Sequence, residues 1–183
     1  TAFEPEPGGH KYASDLLQQV VNLNAGVYLE DELKGTHKTD FCIGVAGYPE
    51  KHFEAPNMDT DLQYLKKKVD LGADYIITQM FFDNEKFHAF VKGCREIGIN
   101  VPIIPGLKPI YSKKQLTILP KTFHIDLPTD LSNELIRCKT DEDVEKVGAE
   151  WLLMQSRELK KAGVPVLHYY TLGRPQLVAD VVK

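Results

Sequence analysis

Three cysteines in 183 residues are too few, and odd in number, for a disulfide framework. Cys42, Cys94 and Cys138 lie far apart among apolar residues, which predicts reduced core thiols and a reducing, cytoplasmic setting. Long apolar runs are also lacking: the longest reach about five or six residues against the roughly 20 that a membrane span needs, and mean hydropathy is −0.27. No membrane association is expected. A basic surplus is missing too, since 22 Lys+Arg against 26 Asp+Glu leave a net charge of −4 and a pI near 5.9. Nucleic acid is therefore not an expected partner. The chain has no G-x-G-x-x-G, G-x-x-x-x-G-K-[ST], C-x-x-C, H-E-x-x-H or G-x-S-x-G, and its six histidines are scattered. A Rossmann fingerprint, a P-loop, and the commoner metal and serine-hydrolase motifs find no support.

What is present is 43% apolar residues, enough for one sizeable core, and no linker or short-period repeat divides residues 1–183 into domains. The Pro/Gly-rich opening from Thr1 to Gly9 has neither an initiator Met nor the charged and apolar regions of a signal peptide, so it reads as a loop. A chain that starts in this way is expected to be a piece of something longer. Helical spacing runs from Tyr12 to Asn24, through Leu62, Leu65 and Val69 to Gly72, and through Phe87, Phe90, Val91, Cys94 and Ile97 to Gly98. Further helices are predicted near 112–119, 130–137 and 142–162. Apolar runs at 40–48, 74–82, 101–105 and 165–171 read as strands, the first buried on both faces. Strands alternating with helices call for βαβ units and a parallel α/β sheet, either open and doubly wound or part of a (β/α)8 barrel. Four strands would make only about half of such a barrel, which takes at least about 200 residues.

In parallel α/β folds the reactive groups gather at the carboxyl ends of the strands. Those ends present Tyr48-Pro49-Glu50-Lys51-His52, Thr78-Gln79, Pro105-Gly106-Leu107-Lys108-Pro109 and Tyr170-Thr171-Leu172-Gly173-Arg174. Gln79 is an amide in an apolar run and needs a partner once desolvated, in a site or in the scaffold alike. His52 reads as a site or a surface histidine. Asp61 and Lys68 share one helical face and suit the two ends of the helix dipole. Arg174 could clamp a carboxylate or phosphate, or stay solvated. His168, inside the last strand, reads as a core or wall residue.

Read together and in order, Ala46-Gly-Tyr-Pro-Glu-Lys-His52, Asp61 with Lys67-Lys68, Gly72-Ala-Asp-Tyr-Ile-Ile-Thr-Gln-Met-Phe-Phe82, Ile104-Pro-Gly106 and His168-Tyr-Tyr-Thr-Leu-Gly-Arg174 resemble the methylenetetrahydrofolate reductase family. The match runs from about Tyr12 to Arg174. The resemblance implies a (β/α)8 TIM barrel of which this chain is the second half, strands five to eight. It implies FAD as cofactor and NADH or NADPH as co-substrate, with hydride passed through the flavin to 5,10-methylenetetrahydrofolate to give 5-methyltetrahydrofolate for methionine synthesis. Carried over by position, Tyr12, Ala13, Ala46, Gly47, Tyr48, His52, Asp61, Lys67 and Lys68 fall on or beside flavin-contacting positions. Gln79 matches the glutamine that hydrogen-bonds the pterin, and Gln115, Leu172 and Arg174 match positions on the folate and nicotinamide side. The family's general acid and its flavin-tuning aspartate lie on earlier strands, so no catalytic residue is expected in this chain. Tyr64 and Leu119 depart from an asparagine and an aromatic that some members carry. A homo-oligomer is expected, and the competing reading is a non-catalytic half-barrel that oligomerises or binds a partner through open sheet edges. An aldolase would need a lysine within an apolar strand, and no predicted strand holds one.

Overall fold

The structure, a computed structural model, describes residues 4–30, 33, 35–179 and 181–182; Thr1 to Phe3 of the predicted opening loop lie outside them. The elements run α1 (Ala13–Asn24), β1 (Gly44–Gly47), α2 (Met58–Asp70), β2 (Tyr75–Met80), α3 (Asn84–Glu96), β3 (Ile103–Leu107), α4 (Gln115–Phe123), α5 (Thr129–Arg137), α6 (Asp141–Lys161), β4 (His168–Tyr169) and α7 (Gln176–Ala179). Local chemistry sets many of these bounds. Asn57 caps α2 by accepting the Thr60 N–H at 2.8 Å, and Gly72, at φ +119, ends it where a side chain would be strained. Thr140 accepts the Asp143 N–H at 3.1 Å to start α6, while the Asp143 carboxylate takes the Thr140 N–H in return. Helix α4 starts later than predicted and runs through Pro120 to a left-handed His124.

The four strands are parallel and lie in chain order, β1-β2-β3-β4. The helices cover one face of the sheet. Ile76 packs with Leu62 and Leu65 of α2 and Phe90 and Cys94 of α3. Leu107 packs with Phe87 and with Leu152 and Leu159 of α6, and Met80 with Leu119, Leu131, Leu135 and Val144. Each fully buried aliphatic or aromatic side chain here contributes about 1.5–3 kcal/mol. The register pairs Gly44 with Tyr75, and Ala46 with Ile77 and then Ile104, so these residues share the opposite face. None of Gly44, Ala46, Tyr75, Ile77, Gln79, Ile104 or His168 is buried.

That open face corrects two expectations. The first strand is not buried on both faces: Gly44 and Ala46 are exposed, because β1 is an edge strand with helices on one side only. Cys42, just before it, is exposed as well, and Cys138 is half-buried, so only Cys94 is a core thiol. The last strand shrinks to His168–Tyr169, since only these two residues pair with β3. Among the described residues, no helix is long and apolar enough to cross a membrane.

One close approach fixes the position of α6. A Cβ on Gly148 would lie 1.9 Å from the Ile110 carbonyl oxygen, a backbone atom that cannot step aside. Gly148→Ala should therefore lower the unfolding free energy in urea by about 2 kcal/mol or more. Gly163→Ala, where φ is +87 and the space is open, should cost only about 1 kcal/mol.

Candidate functional site at the strand ends

The loop leaving β1 turns back at once, with the Lys51 N–H on the Tyr48 carbonyl at 3.0 Å and Lys51 in a left-handed conformation. The Lys51 ammonium ties the far side of the loop to the carbonyls of His52 at 3.0 Å and Ala55 at 2.6 Å. Asp61, buried in the first turn of α2, accepts the His52 N–H at 2.9 Å. The His52 ring stands edge-on to Tyr48 with centroids 4.6 Å apart. Lys68 reaches from the last turn of α2 to the Ala46 carbonyl at 2.8 Å, meeting an acceptor on the edge strand. Ala46, Tyr48, His52, Asp61 and Lys68 are thus brought together by one strand, one loop and one helix face.

Burial pushes the Lys68 ammonium below its usual range, and the Asp61 carboxylate partly offsets that. Burial, then Asp61, push the Tyr48 phenol above its usual 10, so it is a neutral hydrogen-bond donor near pH 7. The other flavin-side expectations fall outside this group. Gly47 is buried and faces the helices, where a Cβ would meet Ile76 and Phe90 below 3 Å. Lys67 is exposed. Tyr12 and Ala13 are exposed at the start of α1, where the Tyr12 N–H is held by Asp15.

Gln79 stands half-buried on the open face of β2, whose burial alternates between the two faces. Its Oε1 accepts the Met80 N–H at 3.0 Å. Beside it, the Tyr170 hydroxyl donates to the Thr78 carbonyl at 2.9 Å, and His168 lies edge-on to Tyr170 at 4.6 Å. Gln115 is buried, with its Oε1 on the Tyr111 N–H at 2.8 Å. Arg174 is exposed, pairs with Glu145 at 2.6 Å and lies 4.5 Å from the Tyr111 ring centroid. Leu172 is exposed at φ +45.

The strand-end segment Pro105 to Pro109 carries Lys108, which the sequence argument did not single out. This lysine is fully buried, donates to the Pro109 carbonyl at 3.0 Å and lies 4.5 Å from the Tyr111 ring centroid. Its place at the end of an apolar strand was the one available signal. Among the described residues, no group of three or more His, Cys, Asp or Glu could hold a metal.

A parallel α/β sheet with one face open gathers donors and aromatic rings at its strand ends, the place where folds of this class take ligands. The sequence profile described as methylenetetrahydrofolate reductase matches residues 1–183. The chain belongs to the methylenetetrahydrofolate reductase family. It is 36% identical over 177 residues to methylenetetrahydrofolate reductase 1 of Schizosaccharomyces pombe, covering 96% of this chain and 27% of that one. It is 39% identical over 139 residues to the 5,10-methylenetetrahydrofolate reductase of Salmonella typhimurium, covering 75% and 47%. The chain therefore spans about a quarter to a half of the length of these relatives. A solved structure described as an uncharacterized protein from Clostridium thermocellum that binds two copies of 5-methyl-5,6,7,8-tetrahydrofolic acid aligns with TM-score 0.53 and 19% identity. That alignment covers 94% of this chain and 68% of the other, and it supports the fold.

Burial lowers the Lys108 pKa from 10.5 to about 8. Between those values the unfolded chain holds a proton that the folded chain has lost, so stability should rise with pH across this window. The thermal midpoint of the wild type relative to Lys108→Met should climb from pH 8 to 10; a flat difference would contradict the burial argument.

Proposed function

We propose that this chain forms the second half, strands five to eight, of a (β/α)8 barrel in a flavin-dependent methylenetetrahydrofolate reductase. The observation that carries the reading is the convergence of Tyr48, His52, Asp61 and Lys68 at the β1 end, at positions that match the family's flavin contacts. Strands in chain order with helices on one face are what a barrel wall requires; the remaining strands would pair along its β1 and β4 edges, with the open face turned inward.

The donor set fits FAD. Lys68 supplies a partly desolvated cation for the pyrophosphate or ribityl chain, His52 a polar ring on a backbone that Asp61 holds, and Tyr48 an aromatic wall with a neutral hydroxyl. Bound there, the flavin would supply hydride transfer between NADH or NADPH and 5,10-methylenetetrahydrofolate. Gln79 faces the same open side and orients the pterin or the nicotinamide through its amide. Gln115 keeps the Tyr111 loop in place beside the substrate, Leu172 offers an apolar wall, and Arg174 offers a cation to an anionic group of the substrate. Tyr12, Ala13 and Lys67 are assigned to the outer margin of the flavin site by position alone. The product feeds methionine synthesis in the cytoplasm, and the working form is a homo-oligomer.

The protein carrying this chain should purify with a bound-flavin absorption spectrum. Lys68→Met should weaken FAD binding by about tenfold, the scale of one charge-assisted contact. Gln79→Ala should raise the KM for methylenetetrahydrofolate while leaving flavin content unchanged. A protein that neither holds nor takes up FAD would refute the reading, and a colourless, oligomeric chain that still bound a partner would favour the non-catalytic half-barrel.

A further inference from the structure

The loop between β1 and α2 presents Tyr48 and His52 to the site, and Glu50, between them, turns the other way. Its side chain is 8% exposed, an unusual place for a carboxylate. Glu50 Oε2 accepts the Asp126 N–H at 2.5 Å, across 76 positions of sequence. Its Oε1 lies 3.3 Å from the Lys86 ammonium of α3 without hydrogen-bond alignment, and the same ammonium donates to Asp126 at 2.6 Å. One carboxylate thus joins the β1–α2 loop, helix α3 and the turn that follows α4.

A second tie runs parallel to the first. Phe53 stacks on His124 with centroids 4.8 Å apart and planes at 22°, and on its other side it lies 4.8 Å from His52. His124 holds the left-handed conformation that ends α4 and aims the chain toward Asp126. On either side of the clamp the surface falls away into two clefts of about 460 and 500 Å³, both lined by Lys86 and Asp126. The outer side of the loop is therefore supported by a charged ridge and not by the apolar clusters, none of which includes residues 48–57.

We propose that Glu50 is a positioning residue for the flavin site, acting through Lys86 and Asp126 to hold Tyr48 and His52 at their angle to the β1 end. The inference rests on the assignment of Tyr48 and His52 to the flavin. It predicts a division between stability and binding. Burial pushes the Glu50 carboxyl above its usual range in spite of Lys86, so desolvation of the carboxylate offsets much of what its contacts contribute to folding, whereas a site loop that loses its support by even about 1 Å loses much of its binding geometry.

The experiment compares wild type, Glu50→Ala, Glu50→Gln and Lys86→Met in the protein that carries this chain, reading the FAD dissociation constant by flavin fluorescence and the thermal midpoint of the flavin-free form. Glu50→Ala should weaken FAD by about tenfold with little change in the midpoint. Glu50→Gln, which keeps an acceptor for the Asp126 N–H, and Lys86→Met, which keeps that hydrogen bond and loses only the cation, should each lose less. Unchanged FAD affinity in Glu50→Ala and Lys86→Met overturns the proposal, as does a fall in affinity that tracks a fall in midpoint across all three variants. If wild type binds FAD and the variants match it, only the role of Glu50 fails; if wild type binds none, the flavin reading fails with it.

Discussion

The structure depends on one topological constraint. Four parallel strands that follow one another in chain order place every crossover helix on the same face of the sheet, because each connection repeats the last. An open, doubly wound sheet would reverse its order and bury both faces. Here the reversal never comes, so Ile76, Leu107 and Met80 go into helix-lined clusters while Ile77, Gln79 and Ile104 are left on the open side. The same constraint brings α2 back along β1, so that the Lys68 ammonium meets the Ala46 carbonyl.

The cluster is rigid for reasons that can be counted in bonds. Asp61 is buried in the first turn of α2, where the helix N-terminus favours a carboxylate, and it uses an oxygen on the His52 backbone instead of a solvent contact. Lys51 closes the loop from below on two carbonyls, and Asn57 fixes the point where the loop becomes a helix. A loop held by caps and charge-assisted hydrogen bonds beside the buried Pro49 and Ala55 can keep polar groups aimed at a ligand.

Much of this was legible in the sequence, and the misses have physical causes. Helices α2, α3 and α6 are legible because an apolar stripe runs along each, and α2 and α3 stop just before the expected Gly72 and Gly98. The 40–48 run was misjudged because an apolar strand reads the same whether its second face meets helices or meets strands supplied from elsewhere. Which face Gln79 takes is hidden for the same reason: the alternation of burial along β2 is invisible when both faces carry apolar residues. The gathering of Tyr48, His52, Asp61 and Lys68 was visible only as a resemblance, since the bonds that join them span up to 22 positions. Glu50 and Lys86 gave no local sign at all, because their partner Asp126 lies 40 positions or more away.

The titration of the groups at the strand ends bears on what this part of the protein can do. Tyr48 and Tyr170 are pushed above their usual 10 by burial, so near neutrality both are fixed donors and neither gains or loses a proton. Lys68 is lowered by burial, but the Asp61 carboxylate works against that, which favours a cation that attracts and orients. Lys108 is lowered to about 8, yet it is fully buried and donates to a backbone carbonyl. A general acid or base must both touch the substrate and have its pKa near the working pH. Burial thus moves the two phenols of these strand ends away from neutrality, and the lysine it moves furthest toward neutrality is itself buried. These are groups that orient a ligand or the backbone, not groups placed to exchange protons.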